Sequence, residues 1–316
     1  MDFLHDRLKR MLPLVRSLDT QLGEKIRTES VTHQEMLRIL HSCESLLYRL
    51  CIESDTCRRD ALEEHRRRLA SIMPDNPAAK GWKVFSQNDE DGILQECLRR
   101  LSPAKTFMEF CCGDGLENNT HFLLLQGFRG VWLDGSQNNI EHIRTGLGGL
   151  KFNNLWVRQD FLTLDNISDL LRSSLEFLGL DDLDVFSLDV DGNDIYFAEY
   201  IQEMVHPKIL IVEYNGKFPP PLSLSIEYNP EHTWQRDDFH GASLQKFVDV
   251  LDRYMLVACN VVGVNAFFVR KDVASGFTEY PVELVYQPSR LGLTGYPVYH
   301  AASFKWLKQI LGREQD

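Results

Sequence analysis

At 316 residues the chain can hold one sizeable α/β domain and a smaller appendage. With 43% hydrophobic and 25% charged residues, it has the make-up of an ordinary globular protein able to bury a core. A net charge of −12 argues against a nucleic-acid partner, because phosphate binding needs clustered Lys and Arg, and the basic clusters Lys9-Arg10, Arg58-Arg59 and Arg66-Arg67-Arg68 lie among acids on expected helices.

Residues 1–75 read as a helical region. Leu4, Leu8, Leu12, Val15 and Leu18, then Met36, Ile39, Leu40, Leu46, Leu47 and Leu50, recur at helical spacing with charges between them. Pro13 should kink or split the first run, Gly23 and Thr28 to Thr32 mark a break, and Thr32 with Glu35 forms a capping box. Helices this thinly apolar need a partner surface, either the main domain or a second copy of the chain in a homo-oligomer. Met73-Pro74-Asp75-Asn76-Pro77 reads as a linker, and residues 76–316 as the main domain. Charge begins at Asp2, so no signal peptide is expected, and no apolar run approaches the roughly 20 residues of a transmembrane segment. Seven cysteines without C-x-x-C pairs fit reduced thiols and a cytoplasmic setting.

Phe85 to Leu94 precedes a helix running to Arg100. Its polar residues either cap that helix or, through Ser86, Gln87 and Asp91, help to roof a ligand site. Thr106 to Thr120, TFMEFCCGDGLENNT, then reads as strand, tight turn and helix start. Gly113 and Gly115 let the backbone pass close to a ligand. Asp134 closes the next apolar run, where a carboxylate suits the two hydroxyls of a ribose. The third glycine of a dinucleotide fingerprint is missing, since none follows Gly115 until Gly127.

Apolar strands end at Glu109, at Asp134, near Val157, at Asp189 and at Glu213, with helical stretches between them. Such alternation gives a doubly wound parallel sheet with ligands at the carboxyl ends of its strands. A polar, proline-rich segment, Asn215 to Phe239, precedes a helix from Ala242 to Tyr254. Two apolar runs follow, Met255 to Val262 and Asn265 to Arg270, too closely linked for anything but an antiparallel pair.

The E-x-x-x-G-x-G pattern, with an acid closing the second strand, resembles class I S-adenosylmethionine (SAM) methyltransferases. The motifs F-S-Q with E-D-G-I-L, E-F…G-D-G-L-E-N-N-T, W-L-D-G, D-V-D-G-N-D, V-E-Y-N with F-P-P, G-A-S-L and N-A-F-F-V-R narrow this to the FkbM-like branch. The resemblance covers about Phe85 to Arg270. It implies a Rossmann-like α/β fold with a seven-stranded, mostly parallel sheet in the order 3-2-1-4-5-7-6 and a C-terminal antiparallel hairpin. It also implies SAM as cofactor and a small-molecule or glycan hydroxyl as acceptor. Glu109, Gly113, Gly115 and Asn119 would line the methionine and ribose end. Asp134 and Gly135 would meet the ribose, Asp160 and Phe161 the adenine, and Asp189 the amino group.

Asp189 and Asp191 alternate along a strand and share a face. With Glu213 they form an all-oxygen set that Mg²⁺ or Mn²⁺ accepts. Alternatively, Asp189 bonds backbone or the cofactor and Asp191 caps a helix. A hydroxyl acceptor also needs a base or a metal, and Asp191, Asp194 and His240 compete for that role. Tyr214, Asn215, Trp234 and Phe239 would wall an acceptor in the 215–239 segment. Two other functions stay open at this point: an NAD-dependent reductase or epimerase, and a non-catalytic SAM-binding assembly protein.

Overall fold

The computed structural model describes residues 17, 20, 33–148, 154–179, 183–235, 237–293 and 303–312. Apart from Ser17 and Thr20, which are helical, the expected features between Leu4 and Thr32 lie outside those residues. The chain divides into two compact units, Met1–His65 with Gly295–Ala301 and Arg66–Thr294 with Ala302–Asp316. Helix α1 is His33–Ile72; up to His65 it supplies most of the described part of the first unit, and it leaves Leu37, Leu40, Leu47 and Tyr48 exposed. Among the described residues, no helix is long and apolar enough to cross a membrane.

In the second unit the expected linker is instead a packed turn. Met73, Asn76, Pro77 and Ala78 are buried, and Asn76 Oδ1 caps the turn by accepting the Ala78 N–H at 2.9 Å. Helix α2 is Glu90–Arg99. The winding then runs β1 Thr106–Phe110, α3 His121–Leu125, β2 Arg129–Asp134, α4 Gln137–Gly146, β3 Leu155–Gln159, α5 Ile167–Leu178, β4 Val185–Leu188, α6 Asp194–Met204 and β5 Ile209–Glu213. After it come α7 Leu244–Val250, β6 Tyr254–Cys259, β7 Asn265–Arg270, the short α8 Val282–Val285 and α9 Lys305–Gly312.

The sheet order is β3-β2-β1-β4-β5-β7-β6, the order expected above. Strands β1 to β5 pair in parallel, while β7 runs antiparallel to both β5 and β6. Strands β1, β4 and β6 are buried throughout, as a sheet covered on both faces requires. Gly130 makes one such contact possible, since a Cβ there would stand 2.0 Å from the Phe107 ring of the neighbouring strand. The β6–β7 reversal is built on Asn260, whose Oδ1 accepts the N–H groups of Gly263, Val264 and Asn265. Buried Glu90 takes the side-chain amides of both Asn260 and Asn265, at 2.6 and 3.1 Å, tying α2 to the hairpin. The winding runs outward from β1 through β2 to β3 and then resumes at β4 on β1's other side. That reversal leaves a crevice at the carboxyl ends of β1 and β4.

Candidate cofactor and acceptor site

The loop leaving β1 is held through its backbone N–H groups, mostly by β2. Cys111 and Cys112 both donate to the Leu133 carbonyl, at 2.7 and 3.1 Å, and Gly113 donates to Asp134 Oδ2 at 2.9 Å. Gly115 donates to Cys112 O and Leu116 to Asp114 Oδ1. Five N–H groups between 111 and 116 are therefore committed within the protein. The two glycines play different parts. Gly113, at φ +61°, has open space where a Cβ would point; at Gly115, φ +75°, a Cβ would meet Trp132 at 2.9 Å and Ile143 at 3.0 Å. Gly113 leaves open space beside the loop, and Gly115 lets the loop pack.

Glu109 and Asn119, expected at the cofactor, are turned to the loop instead. The buried Glu109 carboxylate accepts the N–H groups of Asn119 and Thr120 at 2.9 and 3.1 Å and also the Thr120 hydroxyl, which in turn accepts from Trp132 Nε1. Burial pushes its pKa up to about 7 against those bonds. Asn119 Nδ2 donates to Ser187 Oγ at 3.0 Å, pinning the loop to β4.

Asp134 stands at the end of β2, only 7% exposed. Its Oδ1 accepts Ser136 N at 2.8 Å and Asn139 Nδ2 at 3.0 Å, while Oδ2 accepts Gly113 N. A carboxylate has about four acceptor positions, so one remains on Oδ2. Beside it, a Cβ on Gly135 would stand 3.1 Å from the ring of Phe161, which is 59% exposed. Asp160 is half-buried and ion-paired with Arg158 at 2.9 Å.

The second half of the site is a cavity of about 1060 Å³ at the ends of β4 and β5. Asp189, Asp191, Glu213, Tyr214, Trp234 and His240 line it, with Gln87 from the segment before α2. Asp189, Asp191 and Glu213 each offer an oxygen, all within 4.8 Å of one another. Burial, then Asp194 and Asp191, push Asp189 up to about 8; burial and the same acids, with Asp189, push Glu213 well up. The cavity lining does not reach Gly113 or Asp134, but the half-buried Cys111 thiol, pushed well up chiefly by desolvation, feels both Asp134 and Asp189. The two acidic groups thus flank one loop.

Asp194, a competitor for the catalytic base, is turned to the backbone of its own turn. It is fully buried, and its two oxygens accept Val190 N at 2.8 Å and Gly192 N at 3.0 Å, fastening the turn that carries Asp191. In that turn Asp191 adopts φ +56°, a left-handed conformation that an aspartate tolerates at a cost of roughly 1 kcal/mol. Its carboxylate is exposed to the cavity. Burial raises its pKa while His240 and His232 hold it down; burial lowers that of His240 while Asp191 holds it up. Asp191 and His240 therefore act on each other across the cavity.

Asn215 lines the cavity, and its Nδ2 donates to the carbonyls of Asp238 and His240, so fixing the His240 backbone. Tyr214 is buried with its hydroxyl on Gln287 O, leaving only its ring to the cavity. Trp234 is 44% exposed and its Nε1 is committed to Asp237 O, whereas Phe239, at 64% exposed, lies off the lining. From the first turn of α2, Asp91 accepts the N–H groups of Val84, Phe85 and Ser86, so of Ser86, Gln87 and Asp91 only Gln87 reaches the cavity.

Sequence reasoning missed two contributors. His232 lies over the Asp191 turn, where a Cβ on Gly192 would stand 2.2 Å from its ring. The segment around Tyr286, Pro288 and Ser289 closes one wall, with Tyr286 Oη donating to Gly216 O and Ser289 N to the same carbonyl. The available signal was the pair Gly216 and Gly263, which stand so close to this segment and to each other that a Cβ on either would meet backbone at 2.4 Å.

No family profile matches the chain, and no curated protein does. Among solved structures, the chain is similar to the N-terminal domain of EvdMO1 with S-adenosylhomocysteine (SAH) bound, at 12% identity and TM-score 0.39 over 65% of this chain and 94% of that one. It is similar to an O-methyltransferase from Bacillus cereus in complex with SAH, at 16% identity and TM-score 0.39 over 67% and 91%. It is also similar to the glycopeptide N-methyltransferase MtfA, at 13% identity and TM-score 0.35 over 57% and 96%. Likenesses this distant say nothing of a substrate.

Proposed function

We infer that the protein is a SAM-dependent methyltransferase acting on a hydroxyl of a sugar or related acceptor. One observation carries the choice of cofactor. The loop over the crevice has five N–H groups committed internally and lies between acids, Asp134 on one side and Asp189, Asp191 and Glu213 on the other. A pyrophosphate needs free N–H donors and a positive field. A sulfonium nucleoside with an ammonium group prefers the opposite field, and its ribose hydroxyls would donate to the remaining position on Asp134. This disfavours the nicotinamide alternative. Calorimetry should show SAM and SAH binding and no binding of NAD⁺; the reverse result would remove the reading.

When bound, SAM supplies an electrophilic methyl on sulfur, and the protein's own task is mainly placement. Gly113 gives the cofactor room, Tyr214 and Trp234 wall the acceptor, and His240 is the base that takes the hydroxyl proton. Burial keeps its imidazole neutral and ready to accept, while ionised Asp191 stabilises the imidazolium that forms. Asp189, Asp191 and Glu213 fit a hard divalent ion, Mg²⁺ or Mn²⁺, which would draw charge from an acceptor oxygen. If such an ion is resident, chelation should abolish turnover and leave SAH affinity intact. Mn²⁺ binding read by electron paramagnetic resonance should also be lost in Asp189→Asn. Full turnover in excess EDTA would leave the acids to the acceptor alone.

A further inference from the structure

His121 opens α3 and is fully buried among aromatic rings. Phe85 stacks on it with 3.9 Å between centroids and 4° between planes, and Phe304 lies nearly parallel at 5.8 Å. For such a position phenylalanine is the simpler residue, because an enclosed imidazole must place two nitrogens. Only one of them has a protein partner among the described residues. Nδ1 lies 2.7 Å from the Gly115 carbonyl oxygen, and Nε2 is enclosed without one. A carbonyl can only accept, so the proton is on Nδ1. Burial, which pushes this imidazole down to about 4, keeps it neutral.

Gly115 is the glycine on which the cofactor loop packs. Its φ of +75° and the closed space at its Cβ position require glycine, and glycine gives the 115–116 peptide the most freedom to rotate. Its N–H is fixed on Cys112 O, and the 115–116 peptide is held from both sides, by Leu116 N–H on the Asp114 side chain and by the Gly115 carbonyl on His121. We propose that His121 is a positioning residue for the cofactor loop: its Nδ1–H locks the Gly115 carbonyl and thereby holds the turn in which Gly113 faces open space. The functional part rests on the reading that this loop receives SAM. A ligand that binds one loop conformer loses apparent affinity in proportion as that conformer is depopulated.

Two variants separate this role from packing. His121→Asn places an amide N–H near the position of Nδ1 and loses the stack, whereas His121→Phe keeps the stack and loses the donor. SAH affinity by calorimetry should fall about tenfold in His121→Phe and stay within about threefold of wild type in His121→Asn. Thermal midpoints should rank the other way, with Asn the less stable. A pure packing role predicts that affinity follows stability, and that result would overturn the proposal. If the wild-type protein binds no SAH, the cofactor reading fails and the loop claim is still tested without ligand. Amides 112–116 should exchange hydrogen faster in His121→Phe than in His121→Asn, and equal or reversed exchange ends it. A nitrogen-15 spectrum showing the neutral proton on Nε2 would end it as well.

Discussion

Replacing His240 with alanine should lower kcat by roughly 10²- to 10⁴-fold, the range that a positioned general base supplies, with SAH affinity unchanged. The loss falls on kcat because His240 lines the acceptor cavity and not the loop at Gly113. Wild-type activity should rise with pH through the His240 pKa, since only the neutral imidazole accepts a proton. Burial sets that pKa below the ordinary imidazole value, so the acid limb should lie on the acid side of about 6.5. Asp191→Asn supplies the internal control. Asparagine tolerates the left-handed φ of +56°, so the turn should persist, but the negative charge holding the His240 pKa up is gone. The acid limb should then move to still lower pH, with a smaller loss of kcat than in His240→Ala. A His240→Ala enzyme with near wild-type kcat would show that the proton leaves by another route. An acid limb unmoved in Asp191→Asn would separate the two residues.

The sheet was legible because its signals are local. Apolar runs closing on Asp134 and Glu213 locate strand ends, and the few residues between Cys259 and Asn265 permit only a reversal. The site was legible in outline, since those same ends carry its acids, but the direction of each side chain was not. Glu109, Asn119, Asp194 and Asn215 read in sequence like residues waiting for a ligand. Each is instead occupied by neighbouring protein groups: two helix-start N–H groups, a serine on β4, a turn of its own backbone, and two carbonyls some 25 residues away. A buried polar residue looks the same in sequence whether it satisfies a ligand or the protein. The wall from Tyr286 to Ser289 was hidden for a different reason. It is tied to Gly216 by contacts across seventy residues or more, and no periodicity encodes them.

Asp134→Ala should weaken SAM and SAH binding by at least roughly 1.5 kcal/mol, about tenfold, and more if the loop is released as well. Two losses combine at this carboxylate. The free position on Oδ2 that would take a ribose hydroxyl disappears, and so do the acceptors for Gly113 N, Ser136 N and Asn139 Nδ2, which join the glycine loop to the start of α4. Asp134→Asn distinguishes them. Its amide keeps one oxygen but turns an N–H toward donors at the other position, against either Gly113 or Ser136, so the loop should be disturbed even though shape is preserved. Both variants should therefore bind SAH poorly, while a loss confined to the alanine variant would argue that volume and not charge matters. A thermal midpoint near wild type, with cofactor binding lost, places the effect in the crevice. Unchanged SAH affinity in Asp134→Ala would mean that the nucleoside lies elsewhere along the strand ends, and the assignment of Gly113 would go with it.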